Sequence, residues 1–228
     1  MFSTFINIIA APKLAYEQLQ LKPSILLPLV LLLAVMAAST FTYFHLADPG
    51  LLIDDMVEQA GADMSEPERK EARAGIESMG VDQLKWISSI AGPLSALFMF
   101  VVHAGYFFLV SMFNGTKIGF KRWMSFSTWS NLPMLFAVIA GIAAASFTTE
   151  HIPLSQINPL TFTNLLSFTS ENRSLVTLMD SIDLTRLWTV GLMLIGYRVW
   201  TKKSWLHCIA VVLLPFVVIY GIWLALVL

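Results

Sequence analysis

The sequence predicts an all-α fold, a polytopic membrane bundle of five transmembrane helices, and three observations point to it. Charged residues make up only 13% of the 228 residues and hydrophobic ones 57%, whereas a soluble domain carries about 25% charged residues. The apolar residues gather in runs of about twenty, the length that crosses a hydrocarbon core of about 30 Å at 1.5 Å per residue. Short basic turns alternate with long polar excursions between these runs, as charge sorting across a membrane would give. The clearest unit is C-terminal: two apolar runs, 187–200 and 206–228, flank the turn Thr-Lys-Lys-Ser-Trp at 201–205. That is a helical hairpin whose charged tip stays out of the lipid.

The elements follow in order. Residues 1–21 lack the basic start and cleavage site of a signal peptide. Phe2, Phe5, Ile6, Ile9, Tyr16 and Leu19 recur at helical spacing, with Lys13, Glu17, Gln18 and Gln20 between them. This predicts an amphipathic N-terminal segment bent at Pro12, lying on the membrane surface or packed against the cytoplasmic end of the bundle. Pro23 opens the first span, 24–45, which Pro28 bends and which offers Ala34, Ala37 and Ala38 to a neighbour. Residues 46–87 form an acidic, extracytoplasmic helical loop. Asp48-Pro49 reads as N-cap and first helical position, Gly61 as a stop, and Ser65-Glu66-Pro67-Glu68 as a capping box opening a second short helix. No spacing there matches an EF-hand loop, so a solvated acidic face is expected.

The second span, 88–113, has Trp86 at its head, a kink at Pro93 and His103 near its middle. An ionisable side chain at membrane depth is a candidate site by default; the plainer reading is a neutral histidine bonded to a neighbouring helix. A glycine-containing turn at 114–123 carries Lys117, Lys121 and Arg122. The third span, 124–147, begins with SFSTWSNLP, too polar to face lipid. Its Gly141 and Ala145, and its Ala140 and Ala144, have the spacing that lets helix backbones approach. Residues 148–182 form the second extracytoplasmic loop, with Glu150 and His151 at its boundary and half-buried interfacial segments near 160–168 and 174–182. The fourth span, 183–200, ends in snorkelling arginines and marks close packing at Gly191 and Gly196; the fifth, 206–228, contains Pro215.

Orientation follows from Lys and Arg. Lys13, Lys22, Lys117, Lys121, Arg122, Arg198, Lys202 and Lys203 all fall on one side; Arg69, Lys70, Arg73, Lys85, Arg173 and Arg186 are spread through the longer loops opposite. A cytoplasmic N-terminus is therefore expected. Net charge of −1 creates no field that recruits nucleic acid. The single cysteine, Cys208, excludes an intrachain disulfide framework and reads as a small buried or lipid-facing side chain.

Two sets of candidate site residues emerge. His103, Tyr106, Ser127, Ser130 and Asn131 are a candidate intramembrane polar site, with tight helix packing as the plainer alternative. Lys117, Lys121, Arg122, Lys202 and Lys203 are a candidate contact for lipid or a partner, or they only set topology. No HExxH, GxSxG or pair of membrane aspartates suggests an enzyme, no His spacing suggests a metal site, and no cofactor is expected.

The residues that frame these spans resemble the Yip1 domain family. Pro12, Tyr16, Pro23 and Pro28 match its approach to the first span, and the turn at 114–123 matches its glycine-containing turn. Asn131 to Pro133 matches its third-span proline, and Trp188, Gly191, Gly196, Ser204 and Pro215 match its C-terminal hairpin. The long soluble N-terminal region of many eukaryotic members is missing and the acidic loop is longer than theirs, which suggests a bacterial-type member in the inner membrane. The resemblance implies a non-enzymatic multi-pass protein that organises membrane or partner proteins, with membrane lipids, itself as a homo-oligomer or another membrane protein as partners. A small transporter or lipid-handling protein is the alternative, its polar path lined by His103 and residues 125–131.

Overall fold

The computed structural model describes residues 2–60, 64–146, 153 and 157–227, and every regular element among them is helical apart from one isolated antiparallel bridge between Thr161 and Asp183. The expected stop at Gly61 and the boundary pair Glu150 and His151 lie outside the described residues.

The N-terminal segment is two helices, α1 (Phe2–Ala10) and α2 (Pro12–Leu21), broken where Pro12 takes the first helical position. α3 (Leu26–Leu46) is the first long apolar helix. The acidic loop holds α4 (Pro49–Ala60) and α5 (Glu66–Met79). Asp48 caps α4, its Oδ1 accepting from the amides of Gly50 and Leu51 at 2.9 and 3.1 Å. Glu68 reaches back to the Ser65 amide at 2.7 Å, as the capping box requires.

α6 (Val81–Phe113) starts seven residues before the expected span. Its 33 residues extend about 50 Å, longer than the hydrocarbon core, so its first turns belong to the acidic end, where Leu84 packs with Phe44 and Leu52. Pro93 sits inside this helix without ending it. The third span is two helices rather than one, α7 (Phe120–Ser130) and α8 (Met134–Ser146), separated by a turn at 131–133. Pro133 disfavours helical geometry at the residue before it, which explains the break. Short α9 (Phe162–Leu165) and α10 (Arg173–Asp180) lie in the two stretches read as interfacial. α11 (Leu184–Thr201) and α12 (Trp205–Val227) form the hairpin.

Among the described residues, four helical segments are long and apolar enough to cross a membrane: Leu26–Leu46, Val81–Phe113, Phe120–Ala144 and Trp205–Val227. α11 falls short of that apolarity because it carries Arg186 and Arg198 near its ends, and it is also more buried than its hairpin partner. Nine of its 18 residues are buried, Thr185, Thr189 and Thr201 among them, while α12 buries only Cys208 and Val212. α11 packs against α2, α7, α8 and α12. A helix shielded by others can carry hydroxyls that a lipid-facing helix cannot.

The bundle has two chemically distinct ends. At one lie α1, α2 and the turns at 114–119 and 202–204. At the other lie α4, α5, α9 and α10. Arg173 of α10 pairs with Glu58 of α4, Asn172 donates to the Val227 carbonyl at 2.9 Å, and Tyr220 donates to the Ser181 carbonyl at 3.1 Å.

Candidate functional site

The basic end is built on aromatic rings. Tyr16 from α2, Phe107 from α6, Trp123 and Phe126 from α7, and Tyr197 and Trp200 from α11 are all buried. Their neighbouring centroids lie 5.0 to 6.3 Å apart, the range in which rings attract beyond simple area burial. Each ring with a polar atom has a use for it. The Trp200 indole donates to the Tyr16 carbonyl at 2.8 Å, the Trp123 indole to Ser111 Oγ at 3.2 Å, and the Tyr16 hydroxyl shares a 2.7 Å bond with Ser130 Oγ. Burial pushes the Tyr16 phenol above its ordinary pKa, against the smaller lowering effect of the Ser130 bond, so it stays neutral. Gly196 makes this packing possible: a Cβ there would stand 2.5 Å from the Tyr16 ring and 2.7 Å from Phe126. Gly191, read with it as a close-packing site, has nothing within 4 Å of such a Cβ; only Gly196 faces α2.

On this floor rest both basic turns. Asn114 Nδ2, at the end of α6, lies 3.2 Å from the Tyr197 hydroxyl and 3.2 Å from His207 Nε2. It thereby ties the 114–119 turn to the start of α12. Ser111 Oγ and the Ser111 carbonyl anchor the rest of that turn through Ile118 and Thr116. Lys117, Lys121, Arg122 and Lys202 are exposed and Lys203 half-buried. Lys202 caps α11 in a left-handed conformation, φ 58°, and cations there favour the negative end of the helix dipole. The Arg198 guanidinium lies over the Trp205 ring, 4.3 Å from its centroid. Among the described acidic residues, Glu17 alone belongs to the helices and turns of this end.

Of the two locations the sequence left open for the N-terminal helices, the structure shows packing against the bundle. The face with Ile8, Ala15, Tyr16 and Leu19 is buried against the bundle, while Ile6, Ile9 and Leu14 remain exposed.

The five candidate polar residues are not bonded to one another across helices. His103 stacks obliquely on Phe216 at 6.1 Å, with a buried Nδ1 that has no partner. Tyr106 donates to the Val211 carbonyl of α12 at 2.7 Å. Ser130 bonds to Tyr16, and Asn131 donates to the Ser127 carbonyl one turn back at 2.8 Å; Ser127 Oγ is buried without a partner. His103 and Tyr106 thus face α12, whereas Ser130 faces α2.

The Tyr106 contact has an identifiable cause. Pro215 has no N–H, so the carbonyl four residues earlier, Val211, loses its helical partner; the Tyr106 hydroxyl supplies one. Ser24 lies just before α3, and its carbonyl accepts from the Trp129 indole at 2.8 Å and Ser125 Oγ at 2.9 Å. A proline in a spanning helix creates an acceptor that a neighbouring helix can satisfy, and Tyr106 of α6 does so for Val211. Sequence reading missed Ser24, Asn114, Tyr197, Trp200 and His207. A signal did exist for Val211, which stands four residues before Pro215.

At the opposite end, α4, α5 and Arg173 line an open cleft of about 880 Å³. Arg73 bridges Asp54 and Glu77, the latter at 2.8 Å, and the bonds to Asp54 first and Glu77 second hold its guanidinium above its ordinary pKa. These pairs are exposed, so water and salt screen them and they add little to stability. No group of three His, Cys, Asp or Glu residues able to hold a metal occurs among the described residues.

Comparison with known proteins fits this architecture. The chain is 20% identical over 228 residues to the membrane protein YknW of Bacillus subtilis (strain 168), covering 95% of this chain and 87% of that protein. No solved structure matches it. The Yip1 domain model matches residues 6–226, from α1 through the last turns of α12. With nearly every helix inside that match, the chain belongs to the Yip1 domain family.

Proposed function

We propose that this chain is a non-enzymatic inner-membrane protein of five crossings, with its N-terminus in the cytoplasm, that organises membrane or partner proteins through its basic end. The observation that carries this is the seating of the basic turns. Asn114, at the end of α6, bonds Tyr197 near the end of α11 and His207 near the start of α12 over a packed aromatic floor, which ties together the helix ends that carry Lys117, Lys121, Arg122, Lys202 and Lys203. α11 supports the fifth crossing. Its first turn meets the acidic end, where the Leu184 amide donates to the Leu160 carbonyl at 3.0 Å, and its last meets α2 through Trp200. Its 18 residues extend about 27 Å, close to the hydrocarbon thickness.

The test has two arms. Reporters active only in the cytoplasm or only outside it, fused before residue 1 and after residue 228, are expected to report opposite compartments. The Lys202→Glu, Lys203→Glu double variant is expected to keep that topology and to lose crosslinking to membrane partners; unchanged crosslinking counts against the contact role.

A second reading, a small transporter or lipid-handling protein, draws on one observation: His103 Nδ1 and Ser127 Oγ are buried with no partner. Liposome flux that falls in His103→Ala would support it, and flux indifferent to that change would remove it.

A further inference from the structure

We propose that the basic end is a collar for anionic phospholipid headgroups, with Arg198, stacked on Trp205, and Lys202 and Lys203 as its principal cradle and the outward face of α1 lying in the same leaflet. This rests on reading that end as the contact surface, and it narrows the partner to lipid.

Three observations carry it. Cations and large exposed apolar side chains occupy the same helix ends: Phe113 is 89% exposed before Lys117, Leu206 78% after Lys203, and Leu21 82% beside Lys22. Phe113 and Leu206 continue apolar faces, Leu109 and Met112 on α6 and Ile209 on α12. The lysines therefore stand at the depth where acyl chains give way to phosphates, with apolar anchors below and charge above. A soluble acidic partner would satisfy the charges and leave those anchors wet; a bilayer covers both.

The second observation is the stacking of Arg198. A guanidinium lying on an indole face is pre-oriented, and its edge N–H groups suit the oxygens of a phosphate. Trp205, 49% exposed, places this pair at the rim. The third concerns α1 and α2. With Ile8 and Tyr16 docked inward, Ile6, Ile9 and Leu14 form an outward apolar strip flanked by Lys13 and Lys22, the pattern of a helix lying in the interface. Glu17 is the one described carboxylate at this end that opposes an anion.

The experiment compares retention of phosphatidylglycerol and phosphatidylcholine on the purified full-length chain by native mass spectrometry. Each cation near anionic headgroups is worth about fivefold in affinity. Lys202→Gln with Lys203→Gln should therefore weaken phosphatidylglycerol retention roughly thirtyfold and leave phosphatidylcholine unchanged. Lys70→Gln with Arg73→Gln, at the opposite end, should leave both unchanged. Arg198→Lys, which keeps the charge and loses the planar stack, should weaken phosphatidylglycerol retention selectively. Equal retention of the two lipids by the wild type overturns the proposal, as does an equal loss in the opposite-end control. So does a Lys202- and Lys203-dependent capture of polyglutamate without lipid preference, which would assign the surface to an acidic protein. Labelling of Ser204→Cys in a Cys208→Ala background reports which side the turn occupies. Labelling only from outside would overturn the cytoplasmic reading while leaving a measured lipid preference intact.

Discussion

Replacing Tyr106 with phenylalanine removes one oxygen and strands a carbonyl. In an unbroken helix the Val211 carbonyl would accept from the amide of residue 215, but that residue is Pro215, and the Tyr106 hydroxyl, 2.7 Å away, takes the place of the missing amide. Two magnitudes bound the cost. Hydrogen bonds between membrane helices average about 0.6 kcal/mol in double-mutant cycles and reach about 1.7. An acceptor left buried and unpaired costs about 1–3 kcal/mol. Since Pro215 removes the usual fallback, the upper part of the first range applies, and Tyr106→Phe is expected to destabilise by about 1–2 kcal/mol. The decisive comparison is a cycle with Pro215→Ala, which restores an N–H for Val211. In that background the tyrosine hydroxyl has a competitor, and Tyr106→Phe is expected to cost less than about 0.5 kcal/mol. Equilibrium unfolding of the four proteins in mixed micelles, followed by helical circular dichroism, measures the coupling. An equal cost of Tyr106→Phe in both backgrounds would refute the claim that the hydroxyl answers a proline-freed carbonyl.

Three other outcomes are expected. Gly196→Ala puts a methyl 2.5 Å from the Tyr16 ring and should cost about 1–3 kcal/mol by overpacking. Gly191→Ala meets open space and should be neutral or stabilising by up to about 1 kcal/mol; the same unfolding assay ranks them, and equal effects would contradict the packing described. Trp200→Phe loses the bond to the Tyr16 carbonyl and should raise amide exchange across α1 and α2 while leaving α12 protected. The Ser65 side chain first, and its amide second, hold the Glu68 carboxyl below its ordinary pKa. A depressed folded pKa stabilises fully above the unfolded value near 4.3 and stops doing so as pH falls through the lower folded value. Amide protection at the start of α5 should therefore weaken on acidification below about pH 4, and Glu68→Gln should lower that protection at neutral pH and remove the pH dependence.

The helices were legible because membrane burial leaves its mark on every residue of a span. Uninterrupted apolarity, the capping signals at Asp48 and Ser65, and the basic turns are all local. The polar run at 125–131 was also legible as something that lipid cannot face, and the structure packs residues 125–130 fully inside. What it packs against was not legible. Tyr16 reads locally as one apolar position on an amphipathic segment, yet it fills the notch at Gly196, about 180 residues away. Gly191 and Gly196 look alike in sequence and differ only because α2 lies against one of them.

By itself, then, the sequence determined an all-helical membrane chain of the Yip1 type, with one basic and one acidic end, because solvent sorts charge and apolarity residue by residue. Only the tertiary structure decided which donor meets the carbonyl that Pro215 frees, that the rings of four helices share one floor, and that Asn114 ties the end of α6 to α11 and α12. Those are pairings between distant segments, set by packing and hydrogen-bond satisfaction across helices, and no local pattern encodes a partner that lies a hundred residues away.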